Sequence, residues 1–160
     1  MALPLYLTLK DENQQEIKGS VQVVGRENTI EVIEFSHEIT IPTDKNTGKL
    51  VGARTHQPIG FIKEVDSSSV YLYKAVTTGQ TLSSAVFKWY KINESGQEVE
   101  YFTTTLTNVK VVSVKPLVPN IKNPNNSDYS HQEYIELRYE QISWKYHDGS
   151  YVHSDSWNNR

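Results

Sequence analysis

The feature that most constrains the fold is a period of two. From 33 to 41, Ile33, Phe35, His37, Ile39 and Ile41 alternate with Glu34, Ser36, Glu38 and Thr40. Successive side chains of an extended backbone point to opposite faces, so this pattern buries one face of a strand and wets the other. Ile30 and Val32 lie in the opposite phase. A strand expected over 29–41 therefore changes face near Val32–Ile33, which predicts a bulge or a bend from one sheet to the next. The same period places Leu5, Leu7 and Leu9 opposite Tyr6 and Thr8, and further strands are read in SVQVVG, GFIKEV, AVFKWYKI, VEYFTTTL, VKVVSVK, EYIELRYEQISWKY and YVHSDSW. NESGQE joins two of them as a hairpin, and HDGS joins the last two through an Asp-Gly turn. One segment departs from this period. In DSSSVYLYKAVTTG, Leu72, Ala75 and Val76 share a helical face, Asp66 and the serines offer N-caps, and Gly79 is a stop. The expectation is one mainly β domain over 1–160, an antiparallel sandwich or barrel with a single helix at about 68–78.

Composition removes several functions. With 16 basic and 19 acidic residues the net charge is −3, so nothing draws in nucleic acid. The absence of cysteine removes disulfides, thiolate metal sites and cysteine nucleophiles, and leaves the chain indifferent to redox compartment. MALPLYLTLKDE has no basic leader, and Thr8 and Lys10 interrupt its short apolar run, so no cleavable signal peptide is expected. No stretch approaches the roughly 20 apolar residues of a membrane span. Synthesis in the cytoplasm is expected, with any export by another route.

Candidate chemistry is sparse. TGK at 47–49 resembles part of a phosphate loop, but Thr43 stands where the first glycine is needed, Leu50 follows the lysine, and no helix begins there. His147, Asp148, His153 and Asp155 cluster in sequence. A turn on Asp148-Gly149 sets 144 opposite 153 and sends the two histidines to opposite faces, so they hold no common metal and His153 packs on Trp144. His37 is read as a satisfied, partly buried histidine. Glu136, Arg138 and Glu140 share one strand face about 7 Å apart, where an arginine between two carboxylates neutralises rather than poises them. No cofactor, metal or catalytic residue is assigned. The 10 Tyr, 3 Trp and 4 Phe keep a monomeric or dimeric β-barrel binding glycans as an alternative, with an enzyme third.

PTDKNTGKLVGARTHQP, residues 42–58, has neither strand nor helix pattern, and loops of this length in compact domains tend to be functional. The string from there through IGFIKEVDSSSVYLYKAVTTGQ resembles the haemolysin-coregulated protein (Hcp) family, the tube subunit of the bacterial type VI secretion system. IKGSVQVVGRENTIEV, FKWYKINESGQEVEYF and IELRYEQISWKYHDG are similar to the same family, in order, over nearly the whole chain. Members often carry proline after the serine run; here Val70 follows Ser69, which leaves the helix start less fixed.

The resemblance implies a two-sheet antiparallel β-barrel with a flanking helix and a long extended loop. It implies a homohexameric ring, stacked into a hollow tube that is propelled from the cell. The expected partners are further copies of the chain, a trimeric spike, a contractile sheath and small effectors carried in the lumen. It implies secretion by the type VI system and no catalytic step. Head-to-tail stacking joins one patch to a different patch. An arm with Lys49, Leu50, Val51, Arg54 and His56 is therefore expected to make a subunit or ring contact. Glu94, Ser95 and Gly96, with Ser156 and Asn158, are stacking candidates on the opposite face.

Overall fold

The first alternation becomes strand β1 (Leu5–Lys10), with Leu5, Leu7 and Leu9 buried. The computed structural model describes residues 2–159. After β1 come β2 (Glu16–Ile17), β3 (Ile30–Glu31), β4 (Glu34–Ser36), β5 (Ile39–Thr40), β6 (Thr55–His56) and β7 (Ile59–Glu64). Helix α1 (Ser69–Thr78) precedes β8 (Thr81–Ile92), β9 (Glu98–Leu117), β10 (Gln132–Tyr146) and β11 (Tyr151–Ser156). Every ladder is antiparallel. The large sheet runs β2-β1-β8-β9-β10-β7-β4, with β3 on β1 and β11 on β10; β5 and β6 form a second, two-stranded sheet. The fold is mainly β with one α-helix among the described residues, as the alternation predicts.

The face switch at Val32–Ile33 has a structural cause. Val32 N–H donates to Leu5 O on β1 (2.9 Å), and Ile33 N–H donates to Ile62 O on β7 (2.8 Å). Two consecutive residues thus bond to opposite edges of the large sheet, and the chain itself bridges them. Val32 is buried and Ile33 exposed, so the core side changes parity there. The single strand expected over 29–41 is corrected to three short ones, because a chain crossing between edges cannot keep one ladder. SVQVVG is also corrected. Asn28 N–H closes back on Val21 O, Gly25 and Asn28 have φ of 86° and 66°, and Val24 is exposed, so these residues form a turn rather than a strand. VEYFTTTL and VKVVSVK, read separately, are one strand, β9. It bends at Asn108 (φ 53°), which the ladders to β8 and β10 both step over.

Helix α1 starts within one residue of expectation. Asp66 Oδ1 accepts from both N–H and Oγ of Ser68, the N-cap position, and Gly79 ends the helix in the left-handed conformation (φ 68°). Leu72 and Ala75 are fully buried against the core formed by Leu7, Phe61, Phe87, Leu106 and Ile135. A buried charge cluster holds the helix start. Lys63 Nζ, inaccessible to solvent, reaches Glu133 Oε1 (2.5 Å), Asp66 Oδ1 (3.1 Å), Ser69 Oγ (3.1 Å) and Glu64 O (2.8 Å). An ion buried this deeply is tolerable only when fully paired, and this one is.

Candidate functional site

The segment that lacks a side-chain pattern forms an arm held by its backbone. Ile39 pairs with His56 and Thr40 with Thr55; further out, Val51 N–H donates to Pro42 O (3.0 Å) and Thr43 bridges to Leu50. The tip closes through Asp44 N–H to Lys49 O and Gly48 N–H to Asp44 O (both 2.8 Å), with Gly48 at φ 71° supplying the left-handed turn. Asp44 Oδ1 accepts from Asn46 N–H (2.7 Å). The expectation of a loop without strand is corrected: main-chain bonds build a narrow ribbon that leaves the side chains of Lys49, Leu50 and Val51 at its tip uncommitted. Leu50 and Val51 are 66% and 62% exposed, and Lys49 is exposed beside them.

Arg54 and His56 act differently from Lys49, Leu50 and Val51. Both spend their donors inside the protomer, at the root of the arm. Arg54 Nε and Nη2 donate to Asp155 (2.6 and 2.7 Å), a bidentate pair with β11, and Nη2 also donates to Ser156 O and Asn159 O. His56 is only 3% exposed. Its Nε2 meets Asp155 Oδ2 (2.8 Å), its Nδ1 meets the Tyr139 hydroxyl on β10, and Trp157 packs edge-on against its ring. His37, partly buried as expected, reaches the same hydroxyl through Nε2 (3.0 Å).

The electrostatics follow from this packing. Hydrogen bonding to Arg54 holds the Asp155 carboxyl far below its ordinary range. Burial, with Asp155 nearby, pushes the Tyr139 hydroxyl well above its own. Burial and the neighbouring His56 hold His37 below the ordinary imidazole value of 6.5. Sequence reasoning placed Asp155 in a cluster with the C-terminal histidines and missed it as the partner of Arg54, 101 positions away. Only the fold brings them together, and no local pattern signals the pair.

The remaining candidates separate. Trp144 stands opposite His153 with rings stacked at 6.1 Å, as the turn register predicts. His147 instead bonds Thr103 (2.7 Å), beside Glu100. Among the described residues no three of His, Cys, Asp and Glu converge as metal ligands. Glu94, Ser95 and Gly96 are exposed in the β8–β9 turn, which Asn93 N–H closes on Gln97 O (2.9 Å). Ser156 is half-buried and Asn158 exposed, and this tail lies against Glu140 and Arg54. The β8–β9 turn stands at one end of β9, whereas the tail lies level with the middle of that strand, since Ser156 pairs with Gln141 and Gln141 with Thr107; the two are about 30 Å apart at the rise of a strand, and the tail adjoins the root of the arm.

The outward face of the large sheet is a second surface, committed only in part: Arg26 covers Tyr6, and Thr103 bonds His147. Row by row across β1, β8, β9, β10 and β11 it reads Tyr6–Lys88–Thr103–Lys145–Val152, Thr8–Val86–Thr105–Ser143–Ser154 and Lys10–Ser84–Thr107–Gln141–Ser156. Hydroxyls dominate, and no carboxylate occurs in these rows.

Comparison with known proteins matches this architecture to one family. A family profile described as "Type VI secretion system effector, Hcp" matches residues 6–146. The "Major exported protein" of Pseudomonas aeruginosa is 29% identical, covering 98% of this chain and 96% of that protein. The structure of the Hcp1 protein from the E. coli EAEC 042 pathovar, carrying two substitutions, is 59% identical with a TM-score of 0.88, covering 98% of this chain and 99% of that one. Secreted protein Hcp3 of P. aeruginosa shares the fold, at 24% identity and a TM-score of 0.80 over 99% of this chain and 100% of that one. The chain belongs to the Hcp family of type VI secretion system proteins.

Proposed function

We propose that the protein is the tube subunit of a type VI secretion system. Six copies form a ring, rings stack head to tail into a hollow tube, and the tube leaves the cell with small effectors in its lumen. A contractile sheath surrounds it and a trimeric spike caps it. The role is structural, with no catalytic step. The observation that carries this reading is the arm: a clamped root with an apolar tip at Leu50 and Val51 that its own chain leaves uncovered. A solvated loop gains nothing from such a tip, whereas a heterologous contact with the next copy buries it. The β8–β9 turn, at one end of β9, and the tail, level with its middle, supply two unlike surfaces of the kind that head-to-tail stacking requires.

The hydroxyl-rich sheet face is assigned to the lumen. A wall that cargo must slide past is best wetted and free of large apolar side chains, and the row Thr8–Val86–Thr105–Ser143–Ser154 comes close to that composition. Export of the "Major exported protein" relative supports release from the cell. Native mass spectrometry over a range of protein and salt concentrations tests the assembly. A dominant hexamer is expected, and a persistent monomer or dimer refutes the tube reading.

A further inference from the structure

Two histidines of the arm meet one hydroxyl of the barrel. His37 lies just before β5 and His56 lies in β6, so both sides of the arm's root carry an imidazole. Both reach Tyr139 Oη, at 3.0 Å from His37 Nε2 and 2.5 Å from His56 Nδ1. A phenol has one proton to give and lone pairs to accept with. With both rings neutral, the protons fall into one consistent order. His37 Nε2–H donates to the Tyr139 oxygen, Tyr139 O–H donates to His56 Nδ1, and His56 Nε2–H donates to Asp155.

We propose that this His37–Tyr139–His56 chain is a proton-operated latch that holds the His37 side of the arm's root to the barrel and lets that side go in mild acid, while Arg54 and Asp155 keep the other side tied. One added proton is absorbed by reversal. Tyr139 then accepts from one ring and donates to the other, so both bonds of the chain are kept. A second proton has no such solution. Both imidazolium rings donate to one oxygen, the hydroxyl proton loses its acceptor, and two cations flank one phenol whose ring lies 5.8 and 5.4 Å from theirs. The bond from His37 is the one that gives way, because His37 is the more exposed ring.

The surroundings set the direction. Asp155, on β11, is already committed to the Arg54 guanidinium, and Arg138 of β10 adds positive charge near the phenol. Trp157 of the tail covers His56 without contributing charge. Glu38 and Glu136 line the open cleft beside His37, together with Ser36 and Gln57. A charged His37 therefore finds carboxylates in the cleft and only cations and a spent carboxylate in the latch. Because folding with the latch closed favours neutral His37, its contribution is complete above about pH 6.5 and is lost as pH falls below that value. Control of ring stacking by this latch rests on the tube-subunit reading; the latch itself does not.

Hydrogen exchange of the arm, residues 38–57, followed by mass spectrometry in the full chain from pH 7.5 to 5.0 and corrected for intrinsic rates, tests the latch. Protection of the arm in the native protein is expected to be lost at the acid end of this range, while β9 and β10 stay protected. His37→Gln keeps a neutral donor and should hold its protection across the range. Tyr139→Phe should leave the arm open, and insensitive to pH, throughout. Flat protection in the native protein, or an acid loss in His37→Gln equal to the native one, overturns the latch; so does a Tyr139→Phe arm as protected as the native arm at pH 7.5. Native mass spectra of the same samples separate the two readings. Loss of protection with an unchanged hexamer supports the latch and removes its control of assembly, whereas loss of protection in a protein that never forms hexamers supports the latch and refutes the tube subunit.

Discussion

Replacing Lys63 with methionine tests the buried cluster under α1. Methionine fills nearly the volume of the lysine stem, so packing changes little. The ammonium is lost, and with it the partner of Glu133 (2.5 Å) and Asp66 (3.1 Å), both almost inaccessible. Two carboxylates are left facing each other without a cation. Breaking a buried pair from one side costs about 3–5 kcal/mol. At roughly 2–4 °C per kcal/mol for a domain of this size, Tm should fall by about 6–20 °C. Lys63→Met with Glu133→Leu removes the closer pair and leaves Asp66 to its bonds from Ser68, so it should recover part of that loss, since an apolar replacement of a whole buried pair is often neutral. Urea unfolding followed by tryptophan fluorescence measures both, at one fixed protein concentration because assembly shifts the midpoint. A Lys63→Met loss below about 1 kcal/mol, or a double variant as unstable as the single one, refutes the reasoning from pairing.

The other predictions concern the arm, the loop after β2 and the acid limb. Leu50→Ser with Val51→Ser should leave the circular dichroism and Tm of the protomer unchanged and weaken ring or tube assembly by at least about tenfold, since burying each side chain is worth about 1.5–3 kcal/mol; sedimentation velocity reads the difference. Gly19→Ala should cost about 1–3 kcal/mol in urea unfolding, because an added Cβ runs into Thr29 O and the backbone must move. Asp155→Asn should lower Tm at neutral pH by weakening the tie from β11 to Arg54. The Asp155 carboxyl titrates below its unfolded value of 3.8, so its contribution is complete above that pH and is lost as pH falls through the folded value. The native and Asn proteins should therefore converge in Tm under acid, which melts at stepped pH will show.

The strands and the helix were legible wherever burial imposed a period. Leu5, Leu7 and Leu9 and the span of α1 follow from side chains that must face a core, and the Trp144–His153 register follows from the Asp-Gly turn. The crossover at Val32–Ile33 was legible as a change of phase, but the edges it joins were not, because hydrogen bonds to Leu5 and Ile62 leave no mark on side-chain type. SVQVVG misled because β-branched residues carry strand propensity even in an exposed turn. The site was half legible. Leu50 and Val51 stood out as apolar residues in a polar loop, whereas the duties of Arg54 and His56 depend on Asp155 and Tyr139, which are distant in sequence. The family resemblance identified the molecule ahead of the physical chemistry; the internal clamp on the arm came from the structure.

The crossover has a mechanical consequence. Ladders along β8, β9 and β10 spread a shearing load over many parallel bonds, but the junction between the β1 and β7 edges concentrates it on the short pairings of β3 and β4 and on the bonds of Val32 and Ile33. Each protomer therefore carries a tear line already drawn in it. Under load the protomer is expected to yield first along residues 30–36, so its toughness should be set by that stitch rather than by the long strand at its centre.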